Sequence, residues 1–293
     1  MTDREVHIAI TTDENYLQHA GVMLASLFAN ARERRFVVHC VTSSAGTPDW
    51  AKLEGMVFRA GHQLRVLTPD DVSLRNLKIS DHATTAVYYR LLLPELMDPA
   101  VSRVLYLDCD MVVKGDVTEL WNADVDGCAL AAVRDPFFTA YEKLGIPPGR
   151  GYFNSGVMLI NLDHWREHGH AARVVAYIRD NPEKITAWDQ DGLNAVLHSQ
   201  WLELHPRWNV QTILFEHEGR NLPVPREVLL ECLATPAVIH YTAKFKPWHR
   251  LCEHPRKHEY YRYLAGTPWK NSGPAESASS PLKNILKRLL RSV

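Results

Sequence analysis

Segments of strand length and segments of helix length alternate along the first 107 residues of the chain. Short apolar runs lie at residues 7–12, 35–42, 63–67 and 103–107, and longer segments with helical features lie between them at residues 16–31, 47–61 and 82–97. Thr47 and Pro48 are a typical N-cap and first residue of a helix, and Gly61 is a typical C-cap. We expect the third helix to end before Pro94. This alternation is typical of a parallel, doubly wound α/β sheet.

The second half of the chain continues the α/β pattern and then changes in composition. Further strands are predicted at residues 128–135, 155–162, 201–204 and 237–242, with helices around Arg173–Arg179 and Gln190–His198. From residue 271 the segment "NSGPAESASS" has the composition of a linker. We therefore predict one α/β domain over residues 1–270, a linker over residues 271–280 and a basic amphipathic C-terminal helix over residues 281–293.

The C-terminal segment predicts contact with an anionic membrane surface. In a helix its apolar side chains form one stripe, made of Leu282, Ile285, Leu286, Leu289 and Leu290. Its positive charges are Lys283, Lys287, Arg288 and Arg291, with no acidic residue among them. Such a helix suits the interface of an anionic membrane. The alternative is that the leucines dock on the protein's own core.

Composition excludes several classes of protein. The 293 residues are 46% hydrophobic and 23% charged, which is enough for one large core, and the net charge of −1 argues against general binding of nucleic acid. The five cysteines form no C-x-x-C pair, as expected of reduced thiols in the cytosol. The N-terminal residues "MTDRE" are not those of a signal peptide, and no window reaches the ~20 apolar residues of a membrane span. We expect a cytoplasmic protein with a peripheral position on the inner face of the plasma membrane.

Two carboxylates follow the fourth predicted strand, in the stretch "RVLYLDCDMVV" at residues 103–113. Two chemistries suit this D-x-D pattern. Asp108 could be the nucleophile and Asp110 the general acid of a dehalogenase-like phosphatase. Alternatively both could hold a divalent metal that binds the diphosphate of a nucleotide-sugar. A phosphatase of that type normally begins with its D-x-D motif and has a later acidic pair, whereas here about a hundred residues precede the motif and no convincing acidic pair follows.

Four other segments favour the metal hypothesis. They are "AITTDENYLQHAGVMLASL" near the N-terminus, "GYFNSGVMLINLDHW" from residue 151, "AWDQDGLN" from residue 187 and "HYTAKFKPWH" from residue 240. The segments "TTDENY" and "DCD" both lie just past predicted strands, where α/β sheets bind ligands. Together with the D-x-D motif, and in this order, the segments resemble the family 8 retaining glycosyltransferases, most closely the bacterial lipopolysaccharide galactosyl- and glucosyltransferases. The resemblance covers about residues 6–250.

The resemblance implies a fold and an activity. The fold would be GT-A, an α/β fold with a Rossmann-like, mostly parallel nucleotide-binding sheet flanked by helices. The activity would be transfer of galactose or glucose from a UDP-sugar to a glycan or glycolipid, with retention of configuration and with Mn²⁺, or Mg²⁺ in its place. A non-catalytic nucleotide-sugar sensor is the alternative. The hexose and the acceptor depend on the loops around His82, Asp135, Pro136, Phe137 and Trp188, which the sequence does not resolve.

By the same resemblance, particular residues are assigned roles. The metal ligands would be Asp108, Asp110 and His240, while Asp13, Asn15 and Tyr16 would bind the uridine. Gln190, Asp189 and Arg90 would act at the donor sugar, with Gln190 nearest to the position of a nucleophile and Asn154 beside them. Lys246 matches a diphosphate-binding lysine. The remaining residues assigned to donor binding are Thr11, Cys109 and Ala243.

Elementary chemistry supports the metal assignment and leaves structural alternatives open. Residues at i and i+2 of extended chain point to one side, so Asp108 and Asp110 can share an ion. Carboxylate oxygens with one imidazole nitrogen suit manganese better than calcium. Against this, Asp13 or Asn15 could cap a helix. His240 follows an apolar strand and could be a core histidine.

Overall fold

The computed structural model describes residues 5–31, 33–69, 71–74, 77, 85–139, 141–216 and 223–274. The linker beyond residue 274, the C-terminal segment 281–293 and His82 lie outside the described residues. The strands in the described part of the chain are β1 Glu5–Thr11, β2 Arg35–Val41, β3 Gln63–Leu67, β4 Arg103–Leu107, β5 Met111–Val113, β6 Leu130–Arg134, β7 Phe153–Asn161, β8 Trp201–Glu203, β9 Val210–Gln211 and β10 Val238–His240.

The helices divide into α-helices and shorter 3₁₀ turns. In the described residues the α-helices are α1 Leu17–Asn30, α2 Pro48–Arg59, α3 Leu93–Leu96, α4 Thr118–Trp121, α5 Leu162–His168, α6 His170–Asp180, α7 Trp188–Leu197, α8 Thr212–Glu216, α9 Arg226–Ala234 and α10 Lys257–Leu264. The 3₁₀ helices are Glu14–Tyr16, Asp71–Leu74, Thr85–Leu92, Glu142–Leu144 and Pro206–Asn209.

The main sheet has the strand order β3-β2-β1-β4-β7-β6-β8. The pairs β1–β2, β2–β3, β1–β4 and β6–β8 are parallel, whereas β7 runs antiparallel to both β4 and β6. The sheet is therefore mostly parallel, as predicted. A second sheet has the order β5-β10-β9, with β10 antiparallel to β5 and parallel to β9. Its strand β5 follows the D-x-D motif directly, whereas β9 and β10 come from the last third of the chain.

Two apolar clusters cover the two faces of the main sheet. One joins α1, α2 and α10 to strands of both sheets, and its buried members include Leu24, Leu53 and Leu264. The other joins α5, α6 and α7 to the opposite face and includes Trp165, Val174 and Leu193. Helices α2 and α6 bury one apolar stripe each, as expected of helices that flank a central sheet, whereas α1 is buried on most of its surface. No helix in the described part of the chain has the length and apolarity that crossing a bilayer requires.

Local structure agrees with most predicted elements and corrects one boundary. The Thr47 hydroxyl accepts a hydrogen bond from Trp50 N at 3.2 Å and caps α2 as predicted. The prediction that the third helix ends before Pro94 was wrong, since the 3₁₀ helix Thr85–Leu92 continues into α3 with Pro94 in its first turn. A proline is tolerated there because the first helical N–H groups have no intrahelical partner.

Candidate active site

The structure brings Asp108, Asp110 and His240 together at the carboxyl end of β4. Asp108 follows β4 and Asp110 precedes β5, whose Met111 pairs with His240 of β10. His240 Nε2 lies 3.2 Å from Asp110 Oδ1 and 3.8 Å from Asp108 Oδ2. One ligand atom from each residue lies within 4.8 Å of the other two. Two carboxylates and one imidazole at this spacing form a donor set that fits a divalent metal such as Mn²⁺.

A buried relay of side chains sets the orientation of His240. Its Nδ1 lies 2.9 Å from Asn209 Oδ1, and because a carboxamide oxygen can only accept, Nδ1 carries the proton. In the neutral imidazole, the form that can bind a metal, the lone pair is then on Nε2, which faces the two aspartates. Asn209 Nδ2 in turn donates to Asn154 Oδ1 at 2.8 Å. Metal-binding histidines usually have such an outer hydrogen bond on the second ring nitrogen.

Asn154 therefore lies behind the imidazole as part of this relay. It is the second residue of β7, where its Oδ1 also accepts a hydrogen bond from Gly156 N at 3.0 Å. Its assignment beside the donor sugar stays a prediction. Asn209, which sequence reasoning missed, is buried in a 3₁₀ helix. Its segment "HPRWNVQ" carries no signal that would have identified it.

Gly156 on β7 packs directly against Asp108 and His240 and forms the backbone floor of the site. Its carbonyl oxygen accepts a hydrogen bond from Asp108 N at 2.9 Å. A Cβ at this position would lie 2.4 Å from His240 Cε1 and 2.9 Å from Asp108 Oδ2. Only a glycine leaves room for both side chains without displacement.

Arg90 is buried between two carboxylates. Its Nη2 lies 3.0 Å from Asp108 Oδ1 and its Nε lies 3.2 Å from Asp189 Oδ2. Nη1 donates to Ser155 O at 2.9 Å, and the guanidinium stacks over the Tyr106 ring at 4.4 Å. Burial raises the pKa of Asp189 to about 6, against the opposing effect of Arg90. The arginine thus links Asp108 to Asp189, the residue that precedes Gln190.

Thr11 and Cys109 support the D-x-D loop from behind. Tyr106 OH donates its only hydroxyl proton to Asp108 Oδ1 at 2.7 Å. Thr11 Oγ1 lies 3.0 Å from the Tyr106 hydroxyl and is therefore the donor in that second hydrogen bond. Cys109 Sγ donates to Thr11 O at 3.3 Å. The Cys109 side chain therefore faces β1, and Thr11 acts on Asp108 through Tyr106. Tyr106 is a second residue that sequence reasoning missed.

Lys246 reaches the aspartate pair from the loop after β10. Its Nζ donates to Asp110 Oδ2 at 2.7 Å and to the Tyr241 carbonyl oxygen. Burial opposes the charge on Asp110, but the attraction of Lys246 and His240 is stronger and holds the pKa of this carboxyl well below its ordinary value. Ala243, on the same loop, donates its N–H to Thr212 Oγ1 at 3.4 Å. Asp110 is therefore an anion throughout the physiological range.

Gln190 lies in the first turn of α7, close to Arg90. Its Oε1 accepts from Ser155 N at 3.0 Å, and its Nε2 lies 3.4 Å from Asp135 Oδ2. Trp188, at the start of the same helix, has a φ of +47°, which is an outlier for a bulky residue. Such strain is concentrated at functional sites. Asp135 thus contacts Gln190 directly, and Trp188 lies two residues before Gln190 at the start of the same helix.

The loop after β1 carries the residues predicted to bind uridine. Asp13 Oδ1 accepts from Asn15 N at 3.0 Å and caps the 3₁₀ helix, so the capping alternative describes its observed contact. The Tyr16 ring meets Trp248 edge to face at 5.8 Å, and His19 stacks on Trp248 at 3.5 Å. This aromatic wall joins the loop after β1 to the loop that carries Lys246.

A comparison with protein-family models decides the family. The model of glycosyl transferase family 8 matches residues 7–252. The chain belongs to glycosyl transferase family 8. It is 34% identical over 277 residues to general stress protein A of Bacillus subtilis, covering 92% of this chain and 97% of that protein. It is 26% identical over 283 residues to a lipopolysaccharide 1,2-glucosyltransferase of Escherichia coli, covering 95% and 83%.

Solved structures agree on the fold. The galactosyltransferase LgtC, in complex with donor and acceptor sugar analogs, superposes with a TM-score of 0.81 at 24% identity, covering 90% of this chain and 96% of that one. The family resemblance and the expected GT-A fold are therefore confirmed. Membership of this family decides against the dehalogenase-like phosphatase.

Proposed function

We propose that this family 8 member is a metal-dependent hexosyltransferase. It would transfer galactose or glucose from a UDP-sugar to a hydroxyl of a glycan or glycolipid, with retention of configuration. The observation that carries the proposal is the convergence of Asp108, Asp110 and His240, with Lys246 bonded to Asp110, at the carboxyl end of the sheet. The relatives named as lipopolysaccharide glucosyl- and galactosyltransferases support the choice of hexose and acceptor class.

Asp108, Asp110 and His240 would hold Mn²⁺, with Mg²⁺ as the alternative ion. When bound, the ion supplies positive charge to the diphosphate leaving group. Lys246 would add a second positive charge there, since its ammonium lies 2.7 Å from Asp110 Oδ2. The loop with Asp13, Asn15 and Tyr16 would bind the uridine, and its aromatic wall with Trp248 would supply stacking contact.

Gln190 would act at the anomeric carbon through its amide oxygen. Asp189 is a weak candidate for the nucleophile because it is buried and already paired with Arg90 at 3.2 Å. A neutral amide is a weak nucleophile as well, so we favour attack by the acceptor on the face that UDP leaves. The Gln190 Oε1, fixed by Ser155 N at 3.0 Å, would stabilise positive charge on the sugar ring.

We expect Gln190→Ala to lower the rate of transfer by about 100-fold without abolishing it, as for loss of one electrostatic stabiliser. Loss of a covalent nucleophile would cost on the order of 10⁶-fold. The measurement is the rate of UDP release at saturating donor, with the thermal melt as a control for folding. Proton NMR of the product should show the anomeric configuration of the donor. An inverted product, or complete loss of activity in a folded variant, contradicts the assignment.

A screen of UDP-sugars tests the proposed function and separates it from the sensor alternative. Each donor is incubated with Mn²⁺ and a lipooligosaccharide acceptor mixture, and UDP release is measured. We expect release from UDP-galactose or UDP-glucose that requires both the acceptor and the metal. Tight binding of a UDP-sugar without turnover on any acceptor would instead support the sensor.

We also propose that residues 281–293 attach the enzyme to the inner face of the plasma membrane, where a glycolipid acceptor would lie. The apolar stripe and the four positive charges of this segment carry the proposal. Deletion of residues 276–293 should abolish sedimentation with anionic liposomes and preserve turnover of a soluble acceptor. A matched control replaces Lys283, Lys287, Arg288 and Arg291 with glutamine and retains the leucines; it should weaken sedimentation. Unchanged liposome binding after deletion, or loss of folding, refutes the proposal.

A further inference from the structure

Three histidines converge at the corner between α5 and α6, on the helical layer that packs against the sheet. They are His164 and His168 on α5 and His170 at the start of α6. One ring nitrogen from each lies within 4.8 Å of the other two. The sequence signal is "HWREHGH", in which the spacing i, i+4 places His164 and His168 on one face of α5. The proposed reaction uses none of these residues.

The hydrogen bonds of the cluster determine which nitrogens can bind a metal. His168 Nδ1 lies 3.0 Å from the His164 carbonyl oxygen, so Nδ1 carries the proton and Nε2 has the lone pair. Arg173 Nη1 donates to His170 Nδ1 at 3.3 Å, so the proton of neutral His170 is on Nε2. That Nε2 then donates to His164 Nδ1 at 3.1 Å. His164 and His168 are therefore already in the tautomers that a metal requires.

The separation between His164 Nδ1 and His170 Nε2 fits two ligands of one ion. Two nitrogens bound to tetrahedral Zn²⁺ at 2.0–2.1 Å lie about 3.3 Å apart. The observed 3.1 Å is within a few tenths of an ångström of that value. An ion bound to both nitrogens would displace this proton and would lie off the line that joins the nitrogens, so both rings would turn slightly toward it, and His170 would carry its proton on Nδ1 instead. This change displaces the Arg173 guanidinium, whose side chain is exposed and free to turn toward solvent.

We propose that His164, His168 and His170 form a binding site for a divalent transition metal, with Zn²⁺ as the best fit. Three imidazoles with no carboxylate favour zinc, copper or nickel over the manganese that suits the aspartate pair. His170 is buried while His168 is exposed, so the site is anchored on one side and open to solvent on the other. A bound ion would fasten α5 to α6, which flank the same face of the sheet as α7 and Gln190.

The test is a Zn²⁺ titration by calorimetry in an Asp110→Asn background, which weakens the aspartate site. We expect one zinc per chain, held by three nitrogens at about 2.0–2.1 Å in X-ray absorption spectra. His168→Ala should weaken this binding by at least ~100-fold, beyond the 10–100-fold typical of losing an outer-shell partner. His168 is exposed, so the variant should fold normally. The matched control is His258→Ala, which removes another exposed histidine and should leave zinc binding unchanged.

Arg173→Gln provides a second, opposite readout. Removing the guanidinium takes away both its hydrogen bond to His170 Nδ1 and a positive charge near the ion. We expect zinc affinity to stay equal or to rise, whereas a site that needs Arg173 would lose affinity. The proposal is overturned if the Asp110→Asn protein binds no zinc, if His168→Ala binds it as tightly, or if Arg173→Gln weakens binding. None of these results bears on UDP-sugar transfer.

Discussion

Asp110→Asn should lower the rate of hexose transfer by at least ~100-fold, which is the scale of losing a strong electrostatic stabiliser in an active site. The carboxylate lies 3.2 Å from His240 Nε2 and 2.7 Å from Lys246 Nζ, so it contacts both a proposed metal ligand and the proposed diphosphate-binding cation. An asparagine of the same size keeps the shape of the site and removes the charge. The measurement is UDP release as a function of Mn²⁺ concentration, with donor saturating.

Two controls separate loss of the site from loss of the fold. Asp124→Asn removes an exposed carboxylate whose backbone hydrogen bond asparagine can also accept, and it should leave the rate unchanged. Treatment of the wild-type protein with EDTA should reproduce the Asp110→Asn defect, and added Mn²⁺ should reverse it. Full activity after complete removal of divalent metal would show that the aspartate pair has another purpose.

Arg90→Met should destabilise the protein by about 3–5 kcal/mol, the usual cost of removing one partner from a buried ion pair. The guanidinium lies 3.2 Å from Asp189 and 3.0 Å from Asp108, and methionine fills similar space without supplying a charge. Asp189 would then be a buried carboxylate without a cation. The free energy of unfolding in urea measures this effect. Arg134→Met is the matched control, since its ion pair with Glu203 is exposed and should contribute about 1 kcal/mol at most.

The Arg90→Met defect should depend on pH in a defined direction. The pKa of Asp189 is raised to about 6 in the folded protein by burial, so the folded state binds more protons than the unfolded state between about pH 4 and 6. The contribution of Asp189 to the stability of the folded state is therefore fully present at low pH, and it is lost as the pH rises through about 6. Without Arg90 the pKa should rise further, so the variant should be closer to wild type at pH 5 than at pH 8. A defect that is equal at both pH values would mean that Asp189 does not stay buried in the variant.

The first half of the fold was predictable because its signals are local. The strands and helices from β1 to β4 follow from apolar periodicity, and the Thr47 cap follows from residue type. The antiparallel direction of β7 was not predictable, since a continuous apolar run carries no information about its neighbours in the sheet. Helix α10, "KHEYYRYL", was missed because its polar residues obscure the apolar stripe of Tyr260 and Leu264.

The residues of the site that belong to short sequence motifs were predictable. The segments with Asp108, Gln190 and Lys246 were recognised as ordered motifs, and the structure places all of them at one end of the sheet. Residues that act by orienting others were not recognised. Asn209 approaches His240 because β9 pairs with β10, which is a tertiary contact that the residue types do not predict. Tyr106 and Asp108 are only two residues apart, so their contact is local, but a tyrosine within an apolar strand does not by itself indicate this role.

Gly156 will be mistaken for a chemically active residue in any comprehensive survey of single substitutions. It has no functional group, yet even a methyl group there would lie 2.4 Å from His240 Cε1 and would displace the imidazole. Inactive variants at position 156 should therefore be as frequent as those at Asp108 or Asp110. Their inactivity would come from steric displacement of the neighbouring side chains and not from loss of a reactive group. Near the proposed metal ligands, the tolerance of this protein to substitution is limited by free volume as much as by charge.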